Sequence, residues 1–170
     1  MPNIAVPAPP ESLFKLKFHQ VAIYHHDPQS AVEFWEAAGF HNWVQDECEL
    51  TGTEYNEPLE MREREYFNYD ILPLELCYFQ YSTGQFSRED GRNGDPPFLA
   101  HMAAYVDNLE EQTHRLAKEL NLHPYRLYDS VAHQNPYLTE RGITFHKAIY
   151  DTTTWLGFDV KLTQKVFRNA

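Results

Sequence analysis

Three side chains of metal-ligand type interrupt apolar, strand-like runs. His19 lies in Phe18-His19-Gln20-Val21-Ala22-Ile23-Tyr24, and His101 lies in Phe98-Leu99-Ala100-His101-Met102-Ala103-Ala104-Tyr105-Val106. Glu75 is flanked by leucines in Pro73-Leu74-Glu75-Leu76-Cys77-Tyr78. Alternate residues of a strand point to opposite faces, which puts Glu75 on one face with Cys77 and Phe79. A carboxylate or imidazole in such surroundings is costly to bury unless it is paired or bound to a cation. Two imidazoles and a carboxylate that meet would suit Zn, Ni, Co, Mn or Fe(II).

A fourth candidate comes from the C-terminal run. There Leu156, Phe158, Val160 and Leu162 alternate with Gly157, Asp159, Lys161 and Thr163. The apolar set is expected to face a helix and the polar set a concave surface. His101 is separated from Asp159 by nearly the distance that separates His19 from Glu75, and a glutamine follows each acid five residues on (Gln80 and Gln164). Both observations favour Asp159 as the counterpart of Glu75. His25, His26, His114 and His123 fall in turns or on helix surfaces and are read as solvated. His133 and His146 are left open.

These residues need elements to position them. A helix is predicted to open at Asp27-Pro28, an N-cap followed by proline at the first helical position, with Ala31, Val32, Phe34, Trp35 and Ala38 at helical spacing and Gly39 as its stop. A second is predicted to open at Asp107-Asn108. Leu109, Leu116, Ala117 and Leu120 form its stripe, Glu110 and Glu111 sit in its first turn, and Pro124 lies beyond its end. Each helix follows one of the histidine-bearing runs. Each is followed by three weaker strand candidates, near 43–48, 65–70 and 74–81 and near 125–130, 143–150 and 158–164. The order β-α-β-β-β thus occurs twice. The fold class expected is α+β, two tandem βαβββ modules. The modules are assigned to 17–82 and 98–166, with a Pro-rich N-terminal tail over 1–16 and a connector over 83–97 that is rich in Gly, Pro and charge.

Bulk composition narrows the function classes. The chain has 170 residues, a formal net charge of −11 and an aromatic content of 15%. Such an acidic field repels phosphate backbones and anionic lipids, and no basic cluster offsets it, so no nucleic-acid or membrane partner is expected. Cys48 and Cys77 form no C-x-x-C pair, and a cytoplasmic location is expected. No apolar run approaches the roughly 20 residues of a membrane helix.

The runs FHQVAIYHHDPQSAVEFWEAAGF (18–40), LELCYFQY (74–81) and HMAAYVDNLEEQTHRLAKEL (101–120) resemble the vicinal oxygen chelate superfamily. That superfamily includes glyoxalase I, methylmalonyl-CoA epimerase, fosfomycin-resistance enzymes, extradiol dioxygenases and bleomycin-resistance proteins. The resemblance spans about 18 to 165 and implies two βαβββ modules whose sheets curl around a metal cup. It places His19, Glu75 and His101 on metal-ligand positions and gives Glu75 the catalytic role of proton shuttle. The family's fourth ligand is a glutamate in an I-E-L-like run. Here Val160-Lys161-Leu162 puts Lys161 in that frame, and Asp159 stands two residues earlier. Lys161 is then a candidate contact for an anionic substrate.

The activity implied is proton transfer beside a carbonyl on a small oxygen-bearing substrate, a lyase or isomerase acting through a metal-stabilised enolate. The alternatives are an Fe(II)-dependent ring-cleaving dioxygenase and a non-catalytic small-molecule binder. Trp43, Phe79 and Trp155 are candidate pocket walls. A homodimer is the default assembly.

Overall fold

The computed structural model describes residues 16–69, 74–83 and 97–168. Most of the Pro-rich tail and of the predicted connector lie outside the described residues. Strand β1 (Phe18–Tyr24) leads into helix α1 (Pro28–Ala37), then β2 (Val44–Glu54), β3 (Glu57–Asn68) and β4 (Leu74–Thr83). Strand β5 (Phe98–Tyr105) leads into α2 (Leu109–Leu120), then β6 (Arg126–Ala132), β7 (Ile143–Tyr150) and β8 (Asp159–Phe167). Two one-turn helices, α3 (Pro136–Thr139) and α4 (Thr153–Leu156), sit in the connections of the second half. The order β-α-β-β-β occurs twice, as expected.

The eight strands form one closed barrel in the order β1-β4-β3-β2-β6-β7-β8-β5. Pairing inside the two halves is the same: β1 with β4 and β5 with β8 are parallel, and the other neighbours within each half are antiparallel. Two antiparallel seams, β1–β5 and β2–β6, join the halves. Described strands of a single chain therefore complete the cup.

Local chemistry explains the helices. The Asp27 carboxylate caps α1 by accepting the Ser30 N–H at 3.3 Å, and proline follows it. Asn108 caps α2 through the Glu111 N–H at 3.1 Å, and Asn121, at φ +51°, ends it in the left-handed conformation. Buried Leu109 and Leu116 of α2 pack on Ala148, Tyr150, Val160 and Leu162, the outward face of β7 and β8. Val32 of α1 packs with Tyr66, Ile23 and Trp35. Phe34, expected in the apolar stripe, is 71% exposed, because α1 turns the Val32–Trp35 side to the barrel.

The long β2–β3 hairpin reaches well past the strand candidates near 43–48 and 65–70. Its two-residue turn, Tyr55-Asn56, has both residues at positive φ, +50° and +67°, the twist that antiparallel strands require. Gly52 is needed on β2, since a Cβ there would lie 2.1 Å from the Leu127 carbonyl oxygen of β6. Inside the barrel Tyr24, Leu50, Leu59, Met61, Tyr128 and Ile149 form an apolar core.

Candidate functional site

The same strands that bury this core also bury charge. On β3 the outward residues Glu60, Arg62 and Arg64 are exposed, while Met61, Glu63 and Glu65 turn inward. Glu75 of β4, His101 of β5, Lys147 of β7 and Asp159, Lys161 and Thr163 of β8 are all buried. Val160 and Leu162 pack outward on α2, so the expected division of β8 into an apolar helix face and a polar inner face holds.

The inner groups meet across the barrel. Lys161 Nζ donates to Glu75 Oε2 at 3.3 Å, and His101 Nε2 lies 3.5 Å from that same oxygen. Lys147 Nζ donates to Glu65 Oε1 at 3.5 Å, and the Cys48 thiol donates to Glu65 Oε2 at 3.4 Å. Neither oxygen of Glu63, nor Oε1 of Glu75, has a hydrogen-bond donor among the described residues. Three carboxyl groups thus face two ammoniums. One retained proton balances the set, and it belongs to the adjacent Glu63–Glu65 pair, both of whose carboxyls burial raises.

Electrostatics separates the three acids. Burial alone would raise the pKa of Glu75. The Lys161 ammonium and the neighbouring His101 imidazole outweigh it and hold this carboxyl well below the usual carboxylate range. Burial pushes Glu65 well above that range, with Lys147 opposing and the charges of Glu63 and Glu75 adding. Burial likewise raises Glu63. Lys147 loses by desolvation but gains more from Glu65, Tyr128 and Glu63, and stays charged.

The other predicted residues sit differently. His19 stacks on Tyr105, with ring centroids 3.7 Å apart, and its Nδ1 accepts the Tyr105 N–H at 3.1 Å. Burial first, then the nearby Lys161 charge, lowers its pKa from 6.5 to about 4. Asp159 does not join Glu75; its Oδ2 accepts the Tyr125 hydroxyl at 2.8 Å. On β8 it is Lys161 that meets Glu75. Sequence reasoning missed Glu63, Glu65 and Lys147. Lys147, set among the apolar residues of Ile143–Tyr150, was the available signal. The Glu-Arg alternation of β3 concealed which carboxylates point inward.

A cavity of about 160 Å³ opens above this network. Lys147, Lys161, Glu65 and His19 line its polar side, and Phe67, Tyr69, Tyr105, Tyr137 and Phe145 line its walls. Ser130 Oγ and Thr163 Oγ1 also line it, and neither has a hydrogen-bond partner among the described residues. A wider groove of about 410 Å³ lies outside the barrel, near Gly52, Leu109, Leu127 and His146. It is mainly apolar and lacks the lysine–carboxylate network, so of these two the smaller cavity has the chemistry.

Two sets of ligand-type side chains bring their atoms within 4.8 Å of one another among the described residues: Asp46, Cys48 and Glu65, and Glu63, Glu65 and Glu75. Neither set includes His19 or His101. As placed, these donors do not fit a divalent ion. A neutral imidazole whose Nδ1 accepts an N–H carries its proton on Nε2 and has no lone pair left for a metal, which removes His19. Asp46 Oδ1 is engaged by the N–H groups of Glu47, Gln134 and Asn135, which leaves Oδ2 as its one open oxygen, beside a thiol and an ammonium-bound carboxylate. Burial raises the Cys48 thiol far from thiolate formation. Glu65 and Glu75 already hold ammoniums.

No protein-family model and no curated protein matches the sequence. Solved structures do. Methylmalonyl-CoA epimerase from Mycobacterium tuberculosis matches with a TM-score of 0.50 at 13% identity, over 86% of this chain and 86% of that one. Hypothetical protein BH1468 from Bacillus halodurans C-125 matches with a TM-score of 0.50 at 12% identity, over 91% of this chain and 97% of that one. A mutant of 4-hydroxymandelate synthase from Streptomyces coelicolor aligns with a TM-score of 0.48 at 13% identity over 91% of this chain. That alignment covers 50% of the synthase, so the chain spans about half its length. The architecture is the vicinal oxygen chelate fold. No helix among the described residues is long and apolar enough to cross a membrane.

Proposed function

We propose that the protein is an enzyme that moves a proton beside a carbonyl of a small, anionic, oxygen-bearing substrate, a lyase or isomerase, and that the barrel cavity is its active site. One observation carries the reading. Two buried hydroxyls without partners, Ser130 and Thr163, border a cavity floored by Lys147 and Lys161. Buried polar groups are normally satisfied, so these await a polar ligand or water. The lysines favour a carboxylate or an oxyanion in a chain whose overall charge is −11.

Glu65 is the proton carrier that this arrangement favours. It lines the cavity, and burial raises its affinity for a proton. Glu75, the carrier expected from the sequence, is a weaker base because Lys161 and His101 hold it ionised. In the proposed step the Glu65 carboxylate takes the proton from the carbon beside the carbonyl. The C–H electron pair forms the new C=C bond, the C=O π pair moves onto the oxygen, and the enolate forms beside the lysine ammoniums. Glu65 then returns the proton to carbon, so atoms and charge balance.

Hydrogen–deuterium exchange in D₂O, followed by NMR over a panel of small 2-oxo and 3-oxo acids, tests the reading. The native protein should exchange the proton beside the carbonyl of at least one acid. Glu65→Gln should slow that exchange by about 100-fold or more. Oxygen uptake with Fe(II) and no exchange would replace this reading with the ring-cleaving oxygenase. Saturable binding with neither activity would replace it with the non-catalytic binder.

A further inference from the structure

We propose that Lys161 supplies in this barrel the positive charge that a divalent cation would otherwise bring, neutralising the buried carboxylates and meeting the substrate's oxygen, so that the protein works without a bound metal ion. The proposal rests on the cavity being the substrate site, but its test does not use turnover.

The observations converge on one atom. Glu75 Oε2 is the point at which a ligand from β4 and the imidazole of β5 meet, and Lys161 Nζ already sits 3.3 Å from it. Lys161 and Glu75 are 1% and 0% exposed. A buried lysine is rare because an ammonium is costly to desolvate unless it is paired. Here two are buried together, each on a carboxylate, and both also border the cavity. An ammonium has three N–H donors, and Glu75 takes one of those of Lys161. The rest are available to a ligand in the cavity that Lys161 lines.

A divalent ion placed among Glu63, Glu65 and Glu75 would face two ammoniums already held by those acids, at distances where like charges repel strongly in a dry interior. His19 is no help to such an ion, because its Nδ1 is committed to the Tyr105 N–H.

This substitution is reversible by design. Lys161→Glu removes the ammonium and adds a carboxylate beside Glu75 and His101, leaving a more anionic pocket that a divalent cation can occupy. Native protein, Lys161→Glu and Lys161→Gln would be stripped with chelator and gel-filtered. Each would then be titrated separately with Mn²⁺, Ni²⁺ and Zn²⁺, reading metal content by mass spectrometry and Tm by calorimetry. The native chain should retain no stoichiometric metal and show no rise in Tm. Lys161→Glu should retain one of the ions, with a rise on the order of 5 °C at an ion concentration about 100-fold above its Kd. Stoichiometric metal on the stripped and reloaded native chain, with a matching rise in Tm, overturns the proposal. So does a folded Lys161→Glu variant that behaves as the native chain does. If Lys161→Glu does not fold, the native chain and Lys161→Gln decide, since metal bound by both equally shows that the ammonium never stood in its place. Failure of the exchange assay above would leave these metal readings standing, so the two ideas fail separately.

Discussion

Lys161 of β8 and Glu75 of β4 form a hydrogen-bonded ion pair at 3.3 Å inside the barrel, both closed to solvent. One strand comes from each half of the chain, so the pair ties the duplicated units together at the floor of the cavity.

That pair should show strong energetic coupling. Lys161→Met leaves the Glu75 charge buried without its ammonium and should cost about 3–5 kcal/mol. Glu75→Gln in the same background removes the stranded charge and should recover a large part of the loss. Urea denaturation of the four proteins in the cycle checks this. A double variant as unstable as the sum of the singles would mean that the two groups act independently.

His19 gives the protein a pH signature. Its folded pKa is about 4 against an ordinary 6.5, so the folded state takes up a proton less readily than the unfolded chain. The stability that neutral His19 contributes is present above pH 6.5 and is lost as pH falls toward 4. His19→Asn keeps an acceptor for the Tyr105 N–H but does not titrate there. Tm measured against pH should therefore fall less steeply for the variant between these limits, and parallel curves would contradict the assignment.

Gly52 holds the β2–β6 seam at close approach. Gly52→Ala brings a methyl group to 2.1 Å from the Leu127 carbonyl and 2.6 Å from Tyr128 Cα, both backbone atoms that cannot move alone. The variant should lose about 1–3 kcal/mol or more. Faster hydrogen exchange at the amides of 126–132 than on β7 and β8 would locate the damage at that seam.

Much of the fold could be read from the chain because its signals were local. Asp27 and Asn108 cap helices by hydrogen bonds that span three residues, and β8 alternates cleanly because Val160 and Leu162 face α2. The extent of β3 was not readable. Glu60, Arg62 and Arg64 outside and Glu63 and Glu65 inside are all charged, so alternation gives no hydrophobic contrast there. The site was legible only in part for a related reason. His101, Glu75 and Lys161 stood out as polar residues in apolar strands, and they do meet. Which of Asp159 and Lys161 reaches Glu75 depends on register across β5 and β8 and on the Tyr125 hydroxyl that takes Asp159. Such long-range facts leave no trace in spacing along the chain.

The ring of strands has one more consequence. With β1 joined to β5 and β2 to β6, no described strand is left with an unpaired row of N–H and C=O groups. Edge-to-edge, strand-by-strand growth into fibrils has no open edge among the described residues at which to begin. Any union with another copy would use the outer faces of strands, helices or loops rather than strand edges, and evolution could add, alter or abolish it without rebuilding the buried cavity.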